Sequence, residues 1–298
     1  MSPPALVAAL RNEGLVLMIG PFLVHLRSRI PAVARSIALH YSLVARTGDT
    51  EFADFRIQIQ AGKGLRRWIG PQAIFYLDDV SPFRPLPLPH AFALLEWGLN
   101  WCIAQHAHRY LQLHAAVLER EGKALILPGT PGSGKSTLCA ALLASGWRLL
   151  SDEFALIDRA TGMLQPIPRP VGLKNDSIDL IRRFAPHLPL GEPAYDTDKG
   201  TVAHVQPPAD SLARREELAR PAWIVFPTFS ADSPLRLEPL SKGRALMRVA
   251  DSSFNYNVLG AEGFRAAGDL VDSCSSFTLS YSRFEEAIAT IEALDAEG

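Results

Sequence analysis

Along this chain the apolar residues first come in short runs broken by polar turns, then at helical spacing, then in short runs again. The opening stretch, MSPPALVAALRNEGLVLMIGPFLVHLRSRI, is interrupted at Arg11, Asn12 and Glu13, and its second apolar run holds Gly20 and Pro21. That run is too short to span a bilayer, so the pattern predicts a short helix and then a buried strand or strand pair, not an export signal. EFADFRIQIQ alternates in its second half, and RRWIGPQAIFYLDD reads as two short strands about a Gly-Pro turn. Beyond the Pro-rich connector SPFRPLPLPH, the residues Leu94, Leu95, Leu99, Trp101, Cys102 and Ile103 recur at helical spacing. This predicts a helix joining an N-terminal lobe to the core.

The core pattern starts near Leu113. LHAAVLEREGKALILPG reads as strand, polar turn at Arg120–Lys123 and strand. A Gly-rich loop and a helix with Leu138, Ala141 and Leu142 inward come next, and WRLLSDEFALID then reads as strand, acidic end and further strand. From Gln165 to Ala219 the chain is rich in Pro and charge, with little periodicity outside DSIDLIRRF. Long irregular segments of this kind tend to be functional or mobile. PAWIVFPTF returns to a buried strand, and the tail predicts two helices. In the first, Phe264, Ala267, Leu270 and Val271 share a face. In the second, Phe284, Ile288, Ile291 and Leu294 share one behind a capping box of Ser282 and Glu285.

The chain has 298 residues, 48% hydrophobic and 20% charged, enough for a substantial core in one large or two modest domains. Its 30 basic and 31 acidic residues leave a formal net charge of -1, and no basic stripe stands out, which argues against a nucleic-acid partner. Cys102, Cys139 and Cys274 lie far apart, as core residues of a reducing, cytoplasmic compartment would. The expected class is α/β, with an α+β, mainly-β N-terminal lobe over residues 1–110 and a nucleotide-binding core with C-terminal helices over 111–298.

GTPGSGKS matches G-x-x-x-x-G-K-[ST], with Gly129, Gly134, Lys135 and Ser136 at the required places. Gly129, Gly132 and Gly134 allow backbone conformations that turn successive N–H groups inward around an anion. Thr130, Pro131, Ser133 and Thr137 complete the loop and the first helical turn. Lys135 is expected to reach the β/γ-phosphates and Ser136 to hold Mg²⁺. An apolar strand before the loop and an amphipathic helix after it meet the context the motif needs. ATP, or another nucleoside triphosphate, with Mg²⁺ is the expected cofactor pair. Asp152 and Glu153 fall at the end of the next strand, where carboxylates hold a metal, activate water or activate an acceptor hydroxyl. His106 and His108, two residues apart on a helix, splay away from one another and read as surface residues.

His114 in LHAAVLEREGKALILPGTPGSGKSTL precedes the loop by one hairpin, and GWRLLSDE comes after it, beyond one helix. This order resembles the catalytic core of the HPr kinase/phosphorylase family, and more closely its HPr-kinase-related branch of peptide-modification clusters, including the kinases that tailor lasso peptides. The likeness is strongest from Leu113 to Asp158. It extends more weakly through PIPRPVGLKNDSIDLI, DTDKGTVAHV and SFNYNVLGAEGF. It implies a P-loop core of the HPr kinase/PEP carboxykinase type and phosphoryl transfer to a Ser of a peptide or small protein. By resemblance, Asp152 takes the proton of the acceptor serine, His114 orients Asp152, and Glu153 assists at the metal where HPr kinases proper carry a second Asp. The phosphorylase loop and the bifunctional enzymes' N-terminal domain are not recognisable here, so HPr itself and that family's hexamer do not carry over, and a homo-oligomer stays open. Arg169, Lys174 and Lys199, amid turns and extended chain, are candidate clamps for phosphate or an acidic substrate. SFNYN reads as an ordinary loop. The rival readings are a small-molecule kinase and a nucleotide-dependent switch or ATPase, for which Arg169 or Arg182 would be the finger.

Overall fold

A computed structural model describes residues 3–48, 50–62, 64, 69–130 and 132–296. The first strand expected in RRWIGPQ falls largely on residues outside these, as does Pro131.

The N-terminal layer obeys the alternation seen in the sequence. β1 (Leu15–Ile19) and β2 (Phe22–Ser28) form a hairpin, and β2 runs parallel to β4 (Phe55–Ala61), which pairs antiparallel with β5 (Gln72–Leu77). β3 (Ala45–Thr47) and β6 (Leu86–Pro87) close the two edges. Leu15, Leu17 and Ile19 are buried and their neighbours half-buried, so one face is apolar. Helices α1 (Pro3–Arg11), α2 (Pro31–His40) and α3 (Ala91–His106) supply the matching side of that core. Phe154, Leu156, Ile167 and Leu212 enter the same apolar cluster, so this layer packs continuously onto the central sheet.

The central sheet is organised by one long strand, β7 (Tyr110–Arg120). β7 forms a hairpin with β8 (Lys123–Pro128) through Glu121 and Gly122, both at positive φ. On its other edge it pairs with β9 (Arg148–Ser151) toward its C-terminal end and with β10 (Phe154–Asp158) toward its N-terminal end. β8, β15 (Arg220–Phe229) and β17 (Ser275–Tyr281) run parallel, with β11 (Leu164–Gln165) and β16 (Arg236–Pro239) at the edges. β7 is buried on both faces. Ala116 and Leu118 pack with α4 (Lys135–Ala144) and α10 (Phe284–Ala296), whereas Leu113, Ala115 and Val117 pack with α7 (Lys242–Asp251) and α9 (Ala261–Ser273). A sheet covered by helices on both sides explains why these strands read as continuous apolar runs.

Three expectations change. Gln165–Ala219 is not an irregular excursion. It forms a three-stranded sheet in the order β12 (Val171–Lys174), β14 (Gly200–Val205), β13 (Ala194–Thr197), with helices α5 (Asp176–Phe184) and α6 (Ala209–Ala213). Its turns and short strands dilute the period that would have announced it. The tail also contains β16, β17, α7 and the short α8 (Tyr256–Leu259) besides the two helices expected. Finally, on α9 Ala267, Leu270 and Val271 are buried but Phe264 is 57% exposed, and the Ser282 hydroxyl donates to the Ser233 carbonyl at 2.9 Å, not to the start of α10. On α10, Phe284, Ile288 and Ile291 share a buried face as expected, with Leu294 packed beside them.

Candidate active site

The loop after β8 is fixed by its glycines and by two neighbouring strands. Gly132 and Gly134 have φ of 88° and 89°, the left-handed region that favours glycine. At Gly134 a Cβ would also stand 2.8 Å from Phe229 Cβ and 2.9 Å from the Tyr281 hydroxyl. Ser133 N–H donates to the Thr130 carbonyl at 3.1 Å, and the Ser133 carbonyl accepts from Phe229 N–H at 3.0 Å. The loop then enters α4, whose first N–H groups have no intrahelical acceptors. Thr130, Gly132 to Gly134, Lys135, Ser136 and Thr137 face a cleft of about 450 Å³. A helix N-terminus beside a lysine attracts anions, phosphate foremost. Leu180, Phe229 and Phe284 give the cleft an apolar wall.

Strand register brings the acidic pair to the loop. Phe154 lies opposite His114, and Ala115 lies opposite Pro128, the last residue before the loop. Asp152 and Glu153 therefore turn between β9 and β10 beside the start of the loop. Their surroundings differ. Asp152 is buried, its Oδ2 accepts from Gly172 N–H at 3.1 Å, and its Oδ1 is 3.9 Å from Lys135 Nζ. Lys135 Nζ donates to the Asp152 carbonyl at 2.7 Å. Burial raises the Asp152 carboxyl above the ordinary range, with Lys135 opposing and Glu153 reinforcing. Oδ1 has no hydrogen-bond partner of normal geometry, although Ser136 lies within its electrostatic reach. A buried, unpartnered carboxylate oxygen beside a hydroxyl is a hard-oxygen donor set. It suits Mg²⁺, which takes one or two carboxylates and completes its shell with water and phosphate.

Glu153 faces the open cleft instead. Its side chain is 31% exposed, and its Oε2 is 3.2 Å from His114 Nε2. Partial burial acts to raise this carboxyl, but Lys135, the hydrogen bond from His114, the charge of that ring and Lys174 outweigh it, holding Glu153 well below the usual carboxylate range. The structure thus gives the histidine to Glu153, where resemblance had given it to Asp152. The His114 ring packs 5.6 Å from that of Phe254, centroid to centroid.

The other candidates are dispersed. Lys174 lines the cleft with Gly172, Asn175, Asp176 and Ser177. Lys199 lies over the Trp97 ring at 4.8 Å, and burial, then the charge of Lys174, lowers its pKa. Arg169 is buried away from the cleft, bonded to Asn100 and 3.7 Å from Glu96, which Tyr41 also holds through its hydroxyl at 2.7 Å. Arg182 bonds Asp179 on the exposed side of α5. Neither arginine lines the cleft. His106 is exposed and His108 half-buried. Among the described residues no cluster of three His, Cys, Asp or Glu side chains could hold a metal, and no helix is long and apolar enough to cross a membrane.

Sequence reasoning passed over the segment Ser252–Phe254. Where β8 leaves for the loop, this segment replaces it along β7. His114 N–H donates to the Ser252 carbonyl at 2.7 Å, and Phe254 N–H to the Gln112 carbonyl at 3.0 Å. Asn255 pins the junction, accepting from Gln112 N–H at 3.0 Å and donating to the Tyr110 carbonyl at 2.8 Å. SFNYN offers a polar, aromatic composition that ordinary loops share, beside the weak end of the family resemblance.

No family model matches the chain, and no curated protein matches it. Among solved structures it is similar to the Hpr(Ser) kinase/phosphatase from Coxiella burnetii, at 12% identity and a TM-score of 0.26, over 63% of this chain and 99% of that one.

Proposed function

We propose that this protein is an ATP- and Mg²⁺-dependent kinase that transfers the γ-phosphoryl group to a hydroxyl, most simply a Ser of a peptide or small protein. The observation that carries this reading is the division of labour between adjacent carboxylates. Glu153 is held ionised at the cleft by His114, and Asp152 is buried beside Lys135 and Ser136. Phosphoryl transfer requires positioning, charge neutralisation and a base for the incoming hydroxyl, and little else of the protein.

In this reading the α4 N-terminus and Lys135 bind the phosphates, and Phe229, Phe284 and Leu180 border the space left for the nucleoside. Ser136 and Asp152 would hold Mg²⁺, which when bound neutralises charge on the phosphates. Glu153 takes the acceptor proton. His114 orients Glu153 and, by donating to it, keeps it ionised until the hydroxyl arrives. The acceptor oxygen forms the new P–O bond, the bond to the β-phosphate oxygen breaks, and the diphosphate leaves. This moves the base from Asp152 to Glu153, because the side chain that reaches the cleft is the one able to meet a substrate. Neither Arg169 nor Arg182, the candidate fingers of a hydrolytic switch, borders the cleft.

The deciding experiment tracks γ-labelled ATP with Mg²⁺ in wild type, Glu153→Gln and Asp152→Asn, with serine peptides and with no acceptor. Label on a peptide serine, lost in Glu153→Gln while nucleotide still binds, supports the proposal. Label appearing only as free phosphate, at a rate the substitution does not alter, would replace it with an ATPase. Label on a soluble metabolite alone would make it a small-molecule kinase.

A further inference from the structure

A second cavity, of about 420 Å³, opens behind the first. The two share His114, Thr130 and Ser133, so they meet at the start of the loop and at the ring that holds Glu153. Its far wall is the Ser252–Phe254 segment and the end of α7, with Arg248 and Asp251. We infer that this cavity is the acceptor subsite, and that it takes a peptide with a carboxylate side chain beside its serine. The inference rests on the kinase reading above and adds to it the side of approach and the chemistry of the acceptor.

Three observations carry it. First, the Arg248 guanidinium lies 4.0 Å above the Phe226 ring, and among the described residues no carboxylate forms an ion pair with it. Stacking occupies its face and leaves the edge N–H donors free, the arrangement in which arginine grips a planar carboxylate. The residue is exposed, so an incoming carboxylate can reach those donors. Second, both hydroxyls of the segment are engaged: the Ser252 hydroxyl donates to the Arg248 carbonyl at 2.8 Å, and that of Ser253 to the Gln112 carbonyl at 2.9 Å. Third, Phe254 is 47% exposed, and its ring packs between those of His114 and Phe154. It offers an apolar wall to the stem of a side chain whose hydroxyl must reach Glu153. Phosphates approach from the α4 side and the acceptor from the α7 side, and the two converge at the carboxylate between them. The acceptor O–H then loses its proton to Glu153 as its oxygen bonds to the γ-phosphorus, and the diphosphate departs.

The test uses three synthetic peptides with one serine flanked by Glu, by Ala or by Lys, on full-length wild type, Arg248→Gln, Arg248→Lys and Arg248→Glu. Nucleotide binding, read by a fluorescent ATP analogue, is measured on each so that misfolding is recognised. The expected result is transfer fastest to the Glu-flanked peptide. Arg248→Gln should then raise KM for that peptide by about tenfold or more while kcat changes little, as loss of one charge-assisted contact implies. Arg248→Lys should fall between, and Arg248→Glu should shift preference toward the Lys-flanked peptide. Equal rates on all three peptides or an unchanged KM in Arg248→Gln would overturn the subsite, whereas transfer to none of them by a wild type that binds nucleotide would remove the peptide-kinase reading. Failure of wild type to bind nucleotide would instead remove the kinase reading on which it stands.

Discussion

Glu153 and His114 form the one hydrogen-bonded acid–base pair that borders the cleft among the described residues, with Oε2 and Nε2 3.2 Å apart. Asp152, one residue earlier, points the other way, into the protein beside Lys135. If Glu153 accepts the proton, Glu153→Gln should slow transfer by about 10²- to 10⁴-fold, the usual contribution of a positioned base, and leave nucleotide affinity little changed. Single-turnover rates with saturating ATP separate the two. A Glu153→Gln enzyme that transfers at the wild-type rate would return the base to Asp152.

Asp152 is expected to fail differently. Asp152→Asn keeps the shape and the acceptor for Gly172 N–H but removes the charge beside Ser136. The Mg²⁺ concentration needed for half-maximal activity should rise by ~10–100-fold, the range found when groups around a metal site are changed. Titration of nucleotide binding with Mg²⁺ measures it without turnover. An unchanged Mg²⁺ requirement would mean that Asp152 holds Lys135 in place and no metal.

The loop tolerates little at Gly134, where positive φ and the nearness of Phe229 and Tyr281 coincide. Gly134→Ala forces either the loop or β15 to shift, and a shift at the α4 N-terminus is a shift of the anion site. Nucleotide affinity should fall by at least tenfold, a loss of about 1.4 kcal/mol. Gly132→Ala meets no atom within 4 Å, so it incurs only the backbone strain and should lose less. Equal losses at both positions would show that space around the loop is unimportant.

Acid should unfold the protein through two buried histidines. Burial lowers the pKa of His40 from 6.5 to about 4 and that of His204 from 6.5 to about 3, with the charge of His40 adding to the second. Both are neutral when folded. The unfolded chain binds their protons as pH falls below 6.5, and the folded chain does not until near pH 4 and pH 3. Stability is therefore full above that range and is lost on acidification, on the order of 2 kcal/mol per histidine by pH 5. Urea midpoints from pH 7 to 5 test it. His40→Phe, which fills the stack on Phe92 at 5.3 Å, should flatten the slope by roughly half.

Much of this site was legible before the fold because its signals are local. The loop, the apolar strand before it and the helix after it are set by residues within one stretch; alternation marks β4, and short apolar runs mark β7, β8 and β15. What local pattern does not reveal is which way a side chain leaves a turn. Asp152 and Glu153 are chemically alike and adjacent, and only the register of Phe154 opposite His114 decides that Glu153 meets the ring. Arg169 shows the same limit in reverse. Its loop composition suggested solvent and substrate, but the strands around it carry it inward to Glu96 and Asn100. β17 escaped notice because SSFTLSY intersperses hydroxyls among its apolar positions, and the three-stranded sheet because its turns outnumber its periods.

The same limit makes Asn255 the most informative position outside the cleft. Its side chain satisfies Gln112 N–H and the Tyr110 carbonyl, and it is 1% exposed, so no water takes over either bond easily. Asn255→Ala leaves two buried backbone groups without partners, at about 1–3 kcal/mol each, and a loss of ~2–6 kcal/mol in urea unfolding is expected. Asn255→Asp keeps the acceptor and removes the donor, so it should fall between wild type and Ala. The segment it anchors also carries Phe254 against His114. Transfer to a peptide should therefore weaken in Asn255→Asp even at temperatures where the protein stays folded, with nucleotide binding retained. A destabilisation within about 0.5 kcal/mol, the range of ordinary surface substitutions, would mean that β7 is held by its strand neighbours alone and that the Ser252–Phe254 segment is free to move.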